Sequence, residues 1–499
     1  MSKYMFVWAH GSLIKWYTAF SEAFRLASSE NKVILFVQGG EDVKTGKKYA
    51  VYNDVINIID GFVYNPDLKI TDLKISNNIV ELENHFNDNF FWEDIKVDRF
   101  IRYKKDQSFV VQYLSYAVDK FIGHYKKYSP VLGFGESTMA IYRLSKRIFE
   151  KDKLPYLSAI VTRYFKRYSI EADWFWRWDE ALVNYRKYLN EDIPKEVLDV
   201  VLPVYERIIT KKQTTINFDY YKKNLNIGYN KLSSNSISSI VQKWKAYQKL
   251  QDQKDELANN VRYSQVDSSL IQKYARIKKA KQNHKGYKDL LTNEIPKNIK
   301  FCSFFLHFQP EYTVDSLGKF FIDQNYLVKN IASALPADMY LVVKDHPTMV
   351  GARDVSFYED ILSNKNVFLL NDKIDSYDVI VQSKVVFTIV GTAALEAMFM
   401  GIPAIMFGKY AFDTTNTISL STNFWDLPEL VRKKLLEKHD PADVKKHALA
   451  LLAGKYIGSL DGQLPVHPDL DDEFADKSAD YFIVRDSFTT ELQRRKIID

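Results

Sequence analysis

Short apolar runs alternate with amphipathic helical patterns in two separate parts of the chain. In the first part, apolar runs at residues 4–9 and 32–37 lie on either side of a helical pattern over residues 13–27. A second set of such runs and helical patterns begins at Phe301 and extends to Gly408. Strands that alternate with helices in this way indicate βα units and a parallel sheet. The pattern therefore predicts an α/β protein with two such regions.

Polar residues follow each of three apolar runs in the second region. The polar segments read HFQPE at residues 307–311, KDHP at 344–347 and GTAALEA at 391–397. Ligands of a parallel sheet lie beyond the carboxyl ends of its strands, which is where these segments fall. This coincidence is the main functional signal in the sequence, and it points to half of a nucleotide-sugar site.

The KDHP segment places a lysine and a histidine at the end of a buried strand, which Pro347 ends. Lys344 would supply positive charge to a nucleotide phosphate, and His346 would donate a hydrogen bond to one of its oxygens. A surface turn with solvated lysine and histidine side chains would have the same sequence, so both interpretations stay open at this point.

Gly391, Thr392 and Ala393 open a predicted helix that carries Glu396 about one turn later. Free N–H groups and a hydroxyl at the start of a helix form a ready site for an anion. Glu396 would then accept hydrogen bonds from ribose hydroxyls. The alternative is an ordinary helix cap, in which Thr392 and Glu396 serve only the end of the helix.

Glycine turns follow the first two predicted strands of the chain. His10 and Gly11 come directly after the first strand, and Gly39 follows the second. These are the places where a doubly wound domain carries its ligand loops. A glycine there either lets the backbone approach a substrate or makes only a tight turn. No GxGxxG or Walker sequence follows either strand, so dinucleotide and P-loop chemistry are not supported.

Residues 130–140 predict a strand and a glycine turn that lead into a helix, and Glu136 lies at or just before the start of that helix. It is either a capping residue stabilised by the helix dipole or a catalytic carboxylate on the acceptor side. Further along, the segment from Arg163 to Trp178 is rich in arginine and tryptophan. Its arginines would bind an anionic acceptor and its tryptophans would stack on sugars, or the segment is a buried helix with snorkelling arginines.

Length and composition limit the class of protein. A chain of 499 residues, 46% hydrophobic and 26% charged, predicts two domains with an insertion or tail. No apolar run approaches the about 18 residues of a membrane span, and the N-terminus leads straight into a strand, which predicts a cytoplasmic location. A single cysteine, Cys302, excludes an intramolecular disulfide. The net charge of +6 suits anionic substrates, a negatively charged membrane face or a lysine-rich solvated surface.

The composition changes near residue 206, where lysine, glutamine, asparagine and serine become dominant. Helical periodicity over residues 237–257 and 270–281 predicts a helical insertion, whose basic face contacts a membrane or partner or is simply solvated. A last helix is predicted over residues 473–494. The predicted segments are an N-terminal acceptor domain (1–205), a helical insertion (206–298), a nucleotide-sugar domain (299–440) and a helical tail that packs back on the N-terminal domain (441–499).

The ordered motifs of the second region resemble the bacterial capsule polysaccharide biosynthesis family, which includes Kdo transferases of surface-glycan assembly. The likeness covers residues 304–412 and continues more faintly through residues 133–147. It does not cover the insertion or the tail. The matching motifs are His307-x-Gln309-Pro310-Glu311, Lys344-x-His346-Pro347, Gly391-Thr392-Ala393-x-x-Glu396-Ala397 and Gly401-x-Pro403-x-x-x-x-Gly408.

The resemblance implies a GT-B glycosyltransferase: two Rossmann-like domains facing a cleft, with the donor bound by the C-terminal domain and no need for a metal. It implies that His346 contacts the donor phosphate and assists the leaving group, and that Glu136 is the family's essential carboxylate. Asp42 and Asp173 are the candidates for a second carboxylate, so the retaining or inverting outcome stays open. The predicted donor-binding residues are Lys344, Pro347, Gly391, Thr392, Ala393, Glu396, Gln309 and Glu311, and the predicted acceptor-binding residues are His10, Gly11, Gly39 and Arg163.

The expected function is transfer of Kdo or a sialic-acid-like sugar from a CMP-activated donor, favoured over a UDP-sugar, to a glycan or glycolipid acceptor. No cofactor or metal is expected, because the Asp-x-Asp at residues 469–471 reads as a solvated loop. Peripheral contact with the inner membrane is compatible with the charge, and a nucleic-acid partner is not expected. The alternatives are a CDP-polyol phosphotransferase of the teichoic-acid type and a non-catalytic glycan-assembly scaffold.

Overall fold

The computed structural model describes residues 2–98, 101, 107–136, 138–162, 164–172, 178–210, 270–309, 311–409, 415, 417–464 and 479–499. Several predicted features lie outside these residues: the helix over 237–257, Arg163, Asp173, Trp174, Trp176 and the Asp-Leu-Asp loop at 469–471.

The chain divides into two compact units. Among the described residues, those up to residue 172 and those from residue 459 onward form the first unit, and those from residue 178 to 458 form the second. The first unit thus ends its N-terminal segment earlier than the predicted boundary at residue 205. Of the predicted tail, residues 441–458 belong to the second unit, whereas the larger part, from residue 459 onward, belongs to the first.

The first unit is built on a seven-stranded sheet in the order β3-β2-β1-β4-β5-β6-β13. Strands β1 to β5 are parallel, and β6 and β13 are antiparallel additions at one edge. The strands are β1 (Tyr4–Trp8), β2 (Lys32–Val37), β3 (Asp54–Asn57), β4 (Leu132–Gly135), β5 (Tyr156–Val161), β6 (Arg167–Glu171) and β13 (Leu460–Asp461). The helices are α1 (Leu13–Leu26), α2 (Gly40–Gly46), α3 (Asn77–Phe86), α4 (Phe91–Val97), α5 (Gln107–Tyr128), α6 (Ala140–Lys151) and α17 (Ala479–Arg494).

Alternating side chains of β1 face two hydrophobic layers, as the period of a strand requires. Phe6 and Trp8 pack with helices α5 and α6 on one side of the sheet. Met5 and Val7 pack with α1 and α17 on the other. The last helix of the chain therefore completes one face of the first unit, where the rings of Phe20 in α1 and Phe488 in α17 lie 5.0 Å apart.

The second unit is built on a six-stranded, fully parallel sheet in the order β9-β8-β7-β10-β11-β12. The strands are β7 (Lys300–Phe305), β8 (Met339–Lys344), β9 (Val367–Leu370), β10 (Val386–Thr388), β11 (Ala404–Met406) and β12 (Ile418–Leu420). The helices are α7 (Asp179–Tyr188), α8 (Lys195–Ile209), α9 (Leu270–Asp289), α10 (Tyr312–Leu317), α11 (Gln324–Ala334), α12 (Val355–Leu362), α13 (Ser376–Gln382), α14 (Thr392–Phe399), α15 (Leu427–Leu436) and α16 (Pro441–Ile457).

Both strand orders are those of doubly wound sheets. In the first unit the order reverses between β1 and β4, and in the second unit it reverses between β7 and β10. Loops that leave two neighbouring strands in opposite directions open a crevice at such a point, and ligands bind there. The prediction of an α/β protein with two Rossmann-like domains is confirmed.

Helix α16 packs against both α7 and α8 in the second unit. The approach of α16 to α7 is close because Gly454 has no side chain: a Cβ at this position would lie 2.3 Å from the carbonyl oxygen of Ala181. Nearby, the Tyr185 hydroxyl lies 2.7 Å from Nδ1 of His447. Helix α7, which precedes the predicted insertion, thus packs against α16, which follows the parallel sheet of the second unit.

We predict that Gly454→Ala destabilises the second unit by about 1–3 kcal/mol, because the added methyl group meets helix backbone that cannot move aside. Gly123→Ala is the matched control, since a Cβ at Gly123 in α5 meets nothing within 4 Å. That change should stabilise the protein by up to about 1 kcal/mol through helix propensity. Urea unfolding of both variants tests the pair; equal stability of Gly454→Ala and the parent protein would contradict the close contact.

Candidate functional site

Residues of the predicted motifs follow the carboxyl ends of three neighbouring strands of the second unit. His307 follows β7, Asp345 and His346 follow β8, and Gly391 follows β10. Because β8, β7 and β10 are neighbours in the sheet, these residues share one edge on both sides of the topological switch point. The strand order therefore brings two predicted site residues, His346 and Gly391, to one edge of the sheet, together with His307 and Asp345, which were not predicted as site residues.

His307 joins the ends of β7 and β10. Its Nε2 accepts a hydrogen bond from the backbone N–H of Ile389 at 3.1 Å and lies 3.0 Å from Oγ1 of Thr388. Its backbone is held by Gln324, whose side chain accepts from the His307 N–H at 2.6 Å and donates to the His307 carbonyl at 3.2 Å. Burial, with the charges of His346 and Arg353, lowers the pKa of His307 to about 3. The ring is neutral at physiological pH.

Asp345 is a buried carboxylate, 1% exposed, at the end of β8. It accepts hydrogen bonds from the Tyr358 hydroxyl, from Nε of Arg353 at 3.3 Å and from the backbone N–H of His346 at 2.7 Å. Burial raises its pKa above the ordinary value, against the opposing effect of Arg353. Arg353 also donates to the His307 carbonyl, so it connects the ends of β8 and β7.

Sequence reasoning missed Asp345, Arg353 and Tyr358 as parts of the site. Asp345 stands between two predicted residues, and an acidic residue at the end of a buried strand is a signal that would have found it. Arg353 and Tyr358 lie 8 and 13 residues further along, on a loop and on α12. No motif marks them, because their role depends on a contact that only the fold creates.

His346 is half-buried, and its ring centroid lies 6.2 Å from that of Phe308. Burial, together with the nearby charges of Lys344 and Arg353, lowers the pKa of His346 to about 4. Pro347 begins a short 3-10 turn, Pro347–Met349, that carries the chain away from the strand end. A neutral imidazole in this position can donate one hydrogen bond to an anionic oxygen.

Lys344 is neither solvated nor surrounded only by groups that would leave its charge for a phosphate. It is only 5% exposed, and burial lowers its pKa. The carboxylates of Asp372, Asp345 and Asp375 act in the opposite direction and favour the charged form. The ammonium group is therefore partly compensated by carboxylates, and its predicted contact with a phosphate stays a prediction.

Helix α14 begins at a turn that glycine suits. Gly391, the residue before the helix, has φ of 126°, a backbone conformation that other residues rarely adopt. The residue that precedes the helix, Gly391, has no side chain with which to cap it, and Thr392 is the first helical residue. Thr392, Ala393 and Glu396 are half-buried. A first turn without a capping side chain is compatible with the predicted anion site, which stays a prediction.

Gln309 and Glu311 lie in the loop that follows β7, and both form hydrogen bonds. The Gln309 amide donates to the Ile322 carbonyl at 2.9 Å and accepts from Gln324 at 2.6 Å. Glu311 accepts a hydrogen bond from the Thr313 hydroxyl at 2.8 Å. These contacts fix the loop between β7 and α10, so both side chains have structural partners in addition to the predicted role at the donor.

A second group of predicted residues meets at the switch point of the first unit. Nδ1 of His10, after β1, lies 3.4 Å from Oε1 of Glu136, after β4, and 3.3 Å from the Tyr142 hydroxyl. The same Glu136 oxygen accepts from the Thr138 hydroxyl at 2.8 Å. His10 is 7% exposed, whereas the Glu136 side chain is 26% exposed. The carboxylate is the more accessible member of the pair.

Glu136 does not cap the following helix. Helix α6 begins four residues later, at Ala140, and its backbone N–H donates to Oδ2 of Asp98 at 2.8 Å. Asp98 is buried and lies 42 residues earlier in the chain. The first turn of α6 is therefore bound by Asp98 and not by Glu136, and the Glu136 carboxylate lies beside His10.

The remaining predicted acceptor residues have local structural roles. The backbone N–H of Gly11 donates to Oδ1 of Asp42 at 2.9 Å, so this buried aspartate holds the loop after β1. Gly39 precedes α2, next to Gln38, whose side chain accepts from the Tyr113 hydroxyl. Of the two candidates for a second carboxylate, Asp42 is thus engaged with backbone; Asp173 and the predicted acceptor residue Arg163 lie outside the described residues.

Within the part of the chain that the structure describes, no three His, Cys, Asp or Glu side chains are grouped so that they could hold a metal ion. In the same ranges, no helix is both long and apolar enough to cross a membrane.

Residues 234–437 match the model of a protein family described as capsule polysaccharide biosynthesis protein. The match spans less than half of the 499 residues, but it contains every residue of the site in the second unit. The resemblance to the capsule polysaccharide biosynthesis family is confirmed for this part of the chain. His10 and Glu136 lie outside it. Among curated proteins, none matches the chain.

Several solved structures are similar to the chain at low sequence identity. A β-Kdo 2,7 transferase, KpsC of Thermosulfurimonas dismutans, is 14% identical over 35% of this chain, with a TM-score of 0.23, and this chain covers about half of it, 53%. A β-Kdo 2,4 transferase of KpsC from the same organism is 11% identical over 73% of this chain and 88% of that one, with a TM-score of 0.30. A putative UDP-N-acetylglucosamine 2-epimerase of Listeria monocytogenes is 9% identical over 100% and 98%, with a TM-score of 0.28.

The lowered pKa of His346 predicts a pH dependence of stability. Above its ordinary pKa of about 6.5 the ring is neutral in both states; between there and about 4, only the unfolded chain binds the proton. The free energy of unfolding therefore falls as the pH is lowered through this window. His346→Gln should remove up to about 1.4 kcal/mol per pH unit of that fall. Urea unfolding across the window measures it.

The control for this pH series is His85→Gln, which changes an exposed histidine at the end of α3. That variant should lose stability on acidification as steeply as the parent protein. Curves for His346→Gln that run parallel to those of the control would contradict the buried, neutral state of His346.

Proposed function

We propose that this protein is a glycosyltransferase of bacterial capsule or surface polysaccharide biosynthesis. It transfers a sugar, Kdo or a sialic-acid-like sugar, from a CMP-activated donor to a glycan or glycolipid acceptor. The observation that carries the proposal lies in the segment that matches the capsule polysaccharide biosynthesis family. There, neutral His346 and the uncapped first turn of α14 follow strands on both sides of β7, at one edge of the sheet.

The donor half of the proposal rests on the chemistry of a single phosphate. The first turn of α14 offers backbone N–H groups to an oxyanion, and the Gly391 turn lets the phosphate come close. His346 adds a neutral N–H donor, and the positive charge of Arg353 acts on both histidines. Charge-assisted hydrogen bonds of this kind are strong enough to hold a single phosphate. A CMP-sugar is therefore favoured over a UDP-sugar.

His346 also suits the departure of the nucleotide. As the bond to the sugar breaks, negative charge grows on the phosphate oxygen. A negative charge within hydrogen-bond reach of an imidazole raises the pKa of the ring. A ring that is neutral in the empty site then holds a proton more firmly as the reaction proceeds. Stabilisation of this kind, which is greater in the transition state than in the ground state, is what accelerates the step.

Glu136 is the proposed group on the acceptor side. Its carboxylate is partly accessible, and His10 lies behind it at 3.4 Å. A carboxylate backed by an imidazole can take the proton of an acceptor hydroxyl and share it with the ring. The Tyr142 and Thr138 hydroxyls fix the orientation of the pair.

The first test is a thermal-shift panel with CMP, CDP, UDP and GDP, each with and without EDTA. A ligand at about 100 times its dissociation constant stabilises the folded state by roughly 2.7 kcal/mol, which is an easily measured shift. We expect the largest shift with CMP, unchanged by EDTA and absent in His346→Ala. A shift with UDP alone would reassign the donor, and no shift with any nucleotide would contradict the proposal. Phosphorus in the polymer product would identify a phosphotransferase instead.

We predict that Glu136→Gln lowers the release of CMP from CMP-Kdo in the presence of acceptor by about 100-fold or more, because general base catalysis is lost. The CMP-induced thermal shift should be unchanged, since Glu136 belongs to the first unit. Glu150→Gln, at the other end of α6, is the matched control and should keep full activity. Equal activity of the two variants would remove Glu136 from the mechanism.

A further inference from the structure

We propose that His307 supplies the donor site with a fixed N–H group, at Nδ1, that hydrogen bonds an anionic oxygen of the nucleotide sugar. The inference rests on the proposed function, and it adds a binding residue to the site of His346 and α14. It follows from three features of the structure: the partners of Nε2, the way the backbone of His307 is held, and the position of the ring beside Gly391.

The partner of Nε2 decides the tautomer of the ring. A backbone N–H can only donate, so the 3.1 Å contact with Ile389 requires a lone pair on Nε2. In a neutral imidazole the proton then resides on Nδ1. The Thr388 hydroxyl, 3.0 Å from Nε2, also lies 3.2 Å from the Val390 carbonyl and can donate to either acceptor. A proton on Nε2 would face the hydrogen of the Ile389 N–H and repel it. This repulsion disfavours the charged ring, in agreement with the direction of its lowered pKa.

The backbone of His307 is held on both sides, so the ring has a fixed starting point. Gln324 binds its N–H and its carbonyl, and Arg353 donates to the same carbonyl. Arg353 is itself paired with buried Asp345. Such a supporting set of contacts is what holds a binding group in one orientation before the ligand arrives.

The free edge of the ring lies along the turn that opens α14. Cε1, the ring atom between the two nitrogens, lies 3.8 Å from the point that a Cβ of Gly391 would occupy. The ring is half-buried, and among the described residues no hydrogen bond to Nδ1 is formed. The Nδ1–H group and the backbone N–H groups of the first turn of α14 are therefore hydrogen-bond donors beside the same residue, Gly391.

The chemistry of this edge favours an anionic oxygen. A neutral N–H beside uncapped helical N–H groups can bind a phosphate or a carboxylate oxygen. It has no lone pair with which to bind a cation. In a CMP-sugar of the proposed class, such an oxygen belongs to the phosphate or to the carboxylate of the sugar. CMP, cytidine and CMP-Kdo distinguish these two sources.

Two variants separate a binding role from a purely structural one. A glutamine at position 307 carries its amide to about the place of Nε2, so it can keep the contact with Ile389 but loses the donor at Nδ1. An asparagine reaches only the place of Nδ1, so it keeps a donor there but loses the contact with Ile389. The two changes thus remove the two functions of the ring one at a time.

We expect His307→Gln to unfold near the temperature of the parent protein and to bind CMP about 10- to 100-fold more weakly, the loss expected for one hydrogen bond to a charged group. Binding of cytidine should not change. His307→Asn should unfold at a lower temperature, because the contact with Ile389 is lost. It should bind CMP within about threefold of the parent protein, because the donor to the ligand remains and the loss of binding free energy is smaller than that of one hydrogen bond. If His307→Gln weakens only CMP-Kdo and not CMP, the oxygen belongs to the sugar carboxylate.

Three results would overturn the inference. Unchanged binding of CMP and CMP-Kdo by His307→Gln, with binding intact in the parent protein, would leave the ring a structural role only and would leave the proposed function standing. NMR of the ring nitrogens that places the proton on Nε2 would do the same, even if neither variant folds. If the parent protein itself binds no nucleotide, the proposed function fails, and the inference fails with it.

Discussion

The buried carboxylate of Asp345 is the constraint on which the donor site depends. A charge removed from water at the end of β8 is tolerated only when several donors surround it. Arg353, Tyr358 and the backbone N–H of His346 provide them. Arg353 then reaches the His307 carbonyl, so one buried charge fixes the ends of two strands. The cation needed for this pairing also helps to keep both histidines neutral.

The two Rossmann-like units use the same position for different chemistry. Each places a histidine after the first strand of its sheet, His10 after β1 and His307 after β7, beside a residue from across the switch point. His10 meets the carboxylate of Glu136, with which it can exchange a proton. His307 meets a backbone N–H, which leaves it neutral and oriented. In the proposed reaction this difference matches acceptor activation on one unit and donor binding on the other.

Patterns within short segments predicted the strands and the donor motifs, and they failed where contacts join distant segments. The apolar run at residues 32–37 is a strand with the predicted bounds, and the helical pattern predicted over residues 13–27 is observed as α1, Leu13–Leu26. The cap of α6 was not predictable, because Asp98 lies 42 residues before Ala140. The close contact of α7 with α16, which places residues 179–188 in the second unit, was missed for the same reason.

By itself, the sequence determined the α/β class, the strand ends that carry His346 and the Gly391 turn, and the family resemblance of the second unit. These features depend on local periodicity and on residue types at short spacing, which any single segment displays. The tertiary structure alone decided that Glu136 pairs with His10, that Lys344 lies among carboxylates, and that Asp345, Arg353 and His307 form one hydrogen-bonded group. The reason is physical: burial and the pairing of charges arise only when strands distant in sequence become neighbours in a sheet.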